Sequence, residues 1–369
     1  MIYLDYAAST PPYPQVVEKA RHVMVDAFAN PGAIHRAGAD ARRILLESRR
    51  TLARLLNVRE QEVFFTSGGT EANNWAIKLG CQNKDRRHMV VAATEHKSVL
   101  EAAKYMESQG YAVTYLRPDK DGRITPEAVD AVLTANTALL CVQAVNNETG
   151  VIQDVPALAA LAKKKGVRYF CDAVQSFGHV SQPLNKADFI SISAHKLGGP
   201  RGVGCLVVRY PHTLAPLLHG GGQELGQRSG TENLPGIAGF ALAAQLSADT
   251  ICQESQRLRE LTDLLEGKLK QAVPAMEVNG GDSRHPGILN CYFPGINAEE
   301  MVVRLDMKGI CASPGAACSA LGGKPSHVLL AMGHSQQRAK ESVRFSLGRL
   351  TTTEEIDAAA AAVAEICRK

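Results

Sequence analysis

The stretch ADFISISAHKLGGPRGVG, residues 187–204, sets an apolar run against a glycine-rich turn, with Lys196 at the junction. FISIS reads as a buried strand, and LGGPRG as the turn that ends it. Buried lysines are uncommon and change protonation state readily. Lys196 is therefore either a cation snorkelling towards water or a chemical handle. Its place at the carboxyl end of a strand is where open α/β sheets bind their ligands.

Outward from this point the same texture repeats from residue 60 to 210. VFFT, HMVVAAT, YAVTYL, ALLCVQAV, VRYFCD, DFISIS and GCLVVR are β-rich runs, and several are followed by helical patterns such as TEANNWAIKLG and HKSVLEAAKYMES. PALAALAKKKG opens with proline and carries lysines in its last turn before a glycine, as a helix should. The alternation predicts an α/β fold with a mainly parallel sheet covered on both faces. Upstream, Ala37, Ala41, Ile44, Leu45, Leu52, Leu55 and Leu56 recur at helical spacing, with a solvated arginine face opposite.

Beyond residue 235 the pattern changes to one long helical stretch, or two joined ones, followed by strand-like GILNCYF and VRFSLG and the helices AEEMVVRLDMKG and TTEEIDAAAAAVAEICRK. TTEE fits a capped N-terminus. This divides the chain into a large domain at 15–249 and a smaller α+β domain formed by 1–14 and 250–369.

The bulk numbers narrow the function classes. The 369 residues are 45% apolar and 21% charged, with a net charge of +4 whose lysines and arginines are scattered, which gives no footprint for nucleic acid. The start lacks a secretory pattern and no apolar run reaches membrane-spanning length, so a soluble cytoplasmic protein is expected. The nine cysteines contain no C-x-x-C pair, and most lie in apolar strands as small hydrophobes, Cys311 beside Ile310 among them. Neither a disulfide framework nor a metal site is expected.

Several strand ends carry chemistry. Asp172 closes VRYFCD, with Gln175 close behind; it could cap a turn or serve as the carboxylate partner of a cofactor held by Lys196. Gly68, Gly69 and Thr70 link a strand to a helix and form an anion-binding start, without the lysine of a Walker loop. His96 in ATEHKS is a helix cap, a ring over a flat cofactor or a proton shuttle. HGGGQELGQRSGT (219–231) is a second glycine-rich loop. Cys318 sits in ICASPGAACSALGGKPS, among small residues that suit an exposed and travelling thiol. The conjunction of an amine, a carboxylate, a phosphate-type helix start and a histidine turn suits a pyridoxal-phosphate site.

The set YLDYAAST, TSGGTEANN, EHKS, VNNETG, DAVQSFG, SAHKLGGPRGVG, GGGQELGQRSGT, SPGAACS and VRFSLGRLTT resembles the cysteine desulfurases, in the class V branch of fold-type I pyridoxal-phosphate enzymes. It runs in family order from residue 3 to about 357. The resemblance implies a mainly parallel seven-stranded sheet in the large domain, and pyridoxal 5'-phosphate bound covalently through Lys196. Asp172 would pair with the pyridinium nitrogen, Gln175 with the ring hydroxyl, and His96 would stack on the ring and move protons. Gly69, Thr70, Ser193 and His195 would hold the phosphate, with Thr231 from the other subunit of a homodimer. Asn147 is implied in both the cofactor and the substrate site, where it would clamp the carboxylate of L-cysteine with Arg344, assisted by Asn30. Cys318 would take the sulfur as a persulfide and pass it to an acceptor protein serving iron–sulfur clusters, tRNA thiolation or another thio-cofactor. The residues after Cys318 resemble the long-loop group, although Pro314 and Ala316 flank Gly315 where that group has Ser-Gly-Ser-Ala-Cys. A selenocysteine lyase and a class V aminotransferase are the alternatives.

Overall fold

Strands buried on both faces read as continuous apolar runs rather than alternating ones, and that is how the middle of this chain folds. The structure is a computed structural model that describes residues 1–83, 85–209, 215–315 and 325–368. The chain opens with β1 (Ile2–Tyr3), α1 (Pro14–Asp26) and α2 (Arg36–Leu56). There follow β2 (Val63–Thr66), α3 (Gly69–Gly80), β3 (His88–Ala92), α4 (Lys97–Ser108), β4 (Ala112–Leu116) and α5 (Pro126–Val132). Next come β5 (Thr137–Cys141), α6 (Val155–Lys165), β6 (Arg168–Asp172), β7 (Phe189–Ser193) and β8 (Gly204–Val208).

β2 to β8 form one seven-stranded sheet in the order β2-β8-β7-β6-β5-β3-β4. β8 alone runs against the others, since both its neighbours pair with it antiparallel. Successive residues go to opposite faces: Val90 and Leu140 to one core, Met89, Val91, Leu139 and Cys141 to the other. Each such side chain contributes about 1.5–3 kcal/mol on burial. The helices end where their residues predict: α2 at Asn57 in the left-handed region, α6 at Gly166 likewise.

The long apolar stretch is a single helix, α7 (Leu234–Ala272), of 39 residues. Its first half packs into the sheet's core through Leu234, Ile237, Phe240 and Ala244. Its second half packs Leu258, Leu261, Leu265 and Leu269 into a separate core. That second core also holds Leu4 and side chains of most of the remaining elements, while Val328, Leu329, Met332 and Ala339 form a small cluster of their own. The remaining elements are β9 (Glu277–Val278), β10 (Ile288–Tyr292), α8 (Ala298–Asp306), β11 (Ile310–Cys311), α9 (His327–Ala331), α10 (Gln336–Lys340), β12 (Ser342–Ser346) and α11 (Thr353–Cys367). β12, β10 and β9 make an antiparallel sheet, while β1 pairs with β11 in parallel, so the N-terminus is built into the C-terminal unit.

Cys141, Cys171, Cys205 and Cys291 are buried in strands as expected. Cys311 is not core: β11 is a two-residue edge strand, so Ile310 turns inward and Cys311 is left at the rim. No helix among the described residues is long and apolar enough to cross a membrane.

Candidate active site

The strand ends β2, β3, β5, β6 and β7 share the carboxyl edge of the sheet, and a cavity of about 280 Å³ opens there. That is near the lower end of small-molecule sites, roughly 300–1,000 Å³. Gly68, at φ +153°, turns the chain from β2 into α3. A Cβ on Gly69 would lie 2.8 Å from Val174 Cγ2, so glycine lets the helix start press against the turn after β6. The free N–H groups of that helix start, with Thr70, Ser193 and His195, form one end of the cavity. Burial first, and Lys196 second, push the His195 imidazole down to about 4, so it faces an anion as a neutral hydrogen-bonding ring.

At the other end, Asp172 is buried at the terminus of β6. Its carboxylate accepts from Val174 N at 2.9 Å and from Asn73 Nδ2 at 2.8 Å. Asn73 also donates to Ser98 Oγ at 2.8 Å, and Ser98 Oγ meets His96 Nδ1 at 2.7 Å. His96 is the N-cap of α4, with Nδ1 accepting from Ser98 N at 3.2 Å. Nδ1 is thus an acceptor, and the neutral ring carries its proton on Nε2. Burial lowers the His96 pKa and favours that neutral form.

Lys196 ends the single 3-10 turn after β7, and its Nζ donates to the carbonyls of Ala7 at 2.5 Å and Ala8 at 3.0 Å. Arg344, on β12 and 1% exposed, reaches the same cavity from the other unit. Its Nη2 donates to Asp5 at 2.6 Å and its Nη1 to the Asn147 carbonyl at 2.8 Å, while Nε has no partner among the described residues.

Gly69, Thr70, His96, Asn147, Asp172, Gln175, Ser193, His195, Lys196 and Arg344 therefore line one cavity. Asn30 does not join them: it lies on the exposed turn after α1, where its carboxamide accepts from Gly32 N at 2.8 Å. Thr231 also stands apart within the chain, lining a different cavity with Ser67 and Gly202. Cys318 lies outside the described residues.

Sequence reasoning missed Asn73, Ser98, Glu148 and His327. Asn73 follows Thr70 by three on α3, a spacing that shares a helix face and could have been read. Glu148 lies in the quoted VNNETG, next to Asn147, and could have been read there; His327 had no local signature. Glu148 is 1% exposed and accepts from Ser326 Oγ at 2.5 Å, and a Cβ on Gly315 would lie 3.3 Å from its Oε2. It thus sits beside Gly315 on one side of 316–324 and Ser326 on the other. His327 Nε2 donates to the Glu95 carbonyl at 2.9 Å.

Gln175 Oε1 is buried with no partner among the described residues, and so asks for a donor from whatever fills the cavity. Phosphate donors at one end, and an amine, a carboxylate and this waiting acceptor at the other, are what pyridoxal phosphate requires. With this sheet, they define a fold-type I pyridoxal-phosphate enzyme.

The comparisons make the class narrower. The model of the class-V aminotransferase family matches residues 2–359. The cysteine desulfurase IscS of Methanosarcina thermophila is 38% identical over 374 residues, spanning 100% of this chain and 92% of that protein. Among solved structures, a NifS-like protein superposes with a TM-score of 0.93 at 32% identity, covering 99% of this chain and 98% of its own. SspA in complex with cysteine gives 0.83 at 33%, covering 95% and 100%. The chain belongs to the class-V aminotransferase family, among its cysteine desulfurases.

Proposed function

We propose that this protein takes sulfur from L-cysteine, releases L-alanine and holds the sulfur on Cys318 as a persulfide for an acceptor protein. The observation that carries the reading is the meeting of Lys196, Asp172 and Arg344 in one cavity. Gly69, Thr70, Ser193 and His195 would hold the cofactor phosphate, Asp172 its ring nitrogen and Gln175 its ring hydroxyl. When bound, pyridoxal phosphate supplies an electron sink that lets the α-carbon of an amine lose a proton.

The residues do the rest. Arg344 and Asn147 orient the substrate carboxylate, and Arg344 is already fixed by Asp5 and the Asn147 carbonyl, so its planar fork loses little freedom on binding. Lys196 Nζ takes the α-proton, and His96 offers one from Nε2. At sulfur, the Cys318 thiolate attacks and an S–S bond forms while the C–S bond breaks. The electron pair of the broken bond stays on carbon, which takes up a proton to become the methyl group of alanine. Thr231 completes the phosphate site from a second copy in a homodimer.

Alanine formation from L-cysteine, measured with wild type and Cys318→Ala, tests the reading. Alanine from the wild type and about a hundredfold less from the variant is expected, since the nucleophile is removed. Equal alanine from both would overturn the persulfide step, the sulfur then leaving without Cys318, and alanine from neither cofactor-loaded protein would return the chain to an aminotransferase or a selenocysteine lyase.

A further inference from the structure

Lys196 is not held by a strand or helix ladder. It ends one 3-10 turn and is followed closely by Gly198 at φ +79°. Its carbonyl is fixed instead by two side chains from distant parts of the chain: Thr10 Oγ donates at 2.7 Å and His179 Nε2 at 2.9 Å. A carbonyl can only accept, so His179 carries its proton on Nε2 and Nδ1 is left as an acceptor.

A second imidazole backs this one. The His285 ring lies 5.2 Å from that of His179, tilted by 57°. His285 Nδ1 accepts from Gly287 N at 3.0 Å, so its proton is on Nε2, which is buried with no partner among the described residues. His285 N donates to the Gly150 carbonyl at 2.7 Å, tying this ring to the loop that carries Asn147. Both rings line a cavity of about 50 Å³ behind the active site, and Gln175 lines it too. The charged groups facing the pair are Glu254 and Lys196 near His179 and Arg259 near His285. Burial lowers both imidazoles, which keeps the donor and acceptor pattern intact at neutral pH.

We propose that His179 is a positioning residue for Lys196: it fixes the lysine backbone from the segment that also carries Asp172 and Gln175, and His285 supports it from the C-terminal unit. The catalytic amine and the ring-binding carboxylate are thereby held in one frame, where a misplacement of about 1 Å can cost about a hundredfold in rate. The inference rests on the proposed function for the role of Lys196.

The test compares His179→Phe, which keeps a ring and loses the donor, with His179→Gln, which restores an N–H. Two quantities are read on the cofactor-loaded protein: kcat and KM for L-cysteine, and, without substrate, the pH midpoint of the cofactor absorbance, which reports on the Lys196 nitrogen. His179→Phe should lower kcat about tenfold, with KM within about twofold, and move the midpoint; His179→Gln should recover most of both. If His179→Phe does not fold, His179→Asn, too short to reach the carbonyl, takes its place. Unchanged kcat and midpoint overturn the proposal, and so does a lower melting temperature with kcat intact. A wild type that makes no alanine defeats the functional reading alone, since the absorbance midpoint still tests His179.

Discussion

Glu95 is wholly buried beside the His96 turn, with Oε1 accepting from Gln143 N at 2.5 Å and Oε2 without a partner among the described residues. Burial first, and Asp172 second, push its carboxyl well above the ordinary 4.5. The fold thus favours the protonated form. Its contribution to stability is complete below about pH 4.5 and is lost as pH rises through the raised folded value. Glu95→Gln mimics the protonated acid and removes this dependence. Its melting temperature relative to wild type should rise steadily as pH increases above about 5; a constant difference would mean that the carboxyl titrates normally. Arg344 makes the second prediction at this scale. Arg344→Lys keeps the charge but loses the fork, so KM for L-cysteine should rise at least about tenfold, or ~1.4 kcal/mol. An unchanged KM would remove Arg344 from the substrate site.

Among the elements, α11 begins with a capping box: Thr352 Oγ accepts from Glu355 N at 3.3 Å, and Glu355 accepts from Thr352 N at 3.2 Å. Thr352→Ala should cost about 1 kcal/mol in urea unfolding and leave kcat alone; a fall in kcat would couple this helix to the site. TTEE announced the cap because it is local chemistry. Most of the sheet's strands were legible for a related reason, since burial on both faces leaves β3, β5 and β8 as nearly continuous apolar runs. Asp172 could be picked out because it ends a strand fixed by the sheet, and Lys196 and His96 because each follows such a strand by one short turn. Contacts across the chain left no such mark. The pairing of Arg344 with Asp5, the seat of Glu148 against Ser326 and the turn that spends Asn30 on Gly32 all depend on tertiary placement. Cys311 was misread because a two-residue strand is too short to show which side faces in.

Over the whole molecule, α7 belongs to two cores at once. Trp75, the single tryptophan, lies in the core on the opposite face of the sheet from α7, while Leu265 lies in the C-terminal core. Leu265→Ala should cost about 2–5 kcal/mol. If the shared helix makes the chain one cooperative unit, the midpoint of Trp75 fluorescence shifts with that of helical circular dichroism; a Trp75 midpoint that stays put would separate the two cores.

The bond between Asp5 and Arg344 spans 339 residues, and β1 pairs with the strand at Ile310–Cys311. A growing chain on the ribosome therefore displays its first residues long before their partners exist. The sheet can form while synthesis continues, but the bond of Asp5 to Arg344 can form only once residue 344 has left the exit tunnel. Products truncated before residue 344 would leave Asp5 without this partner.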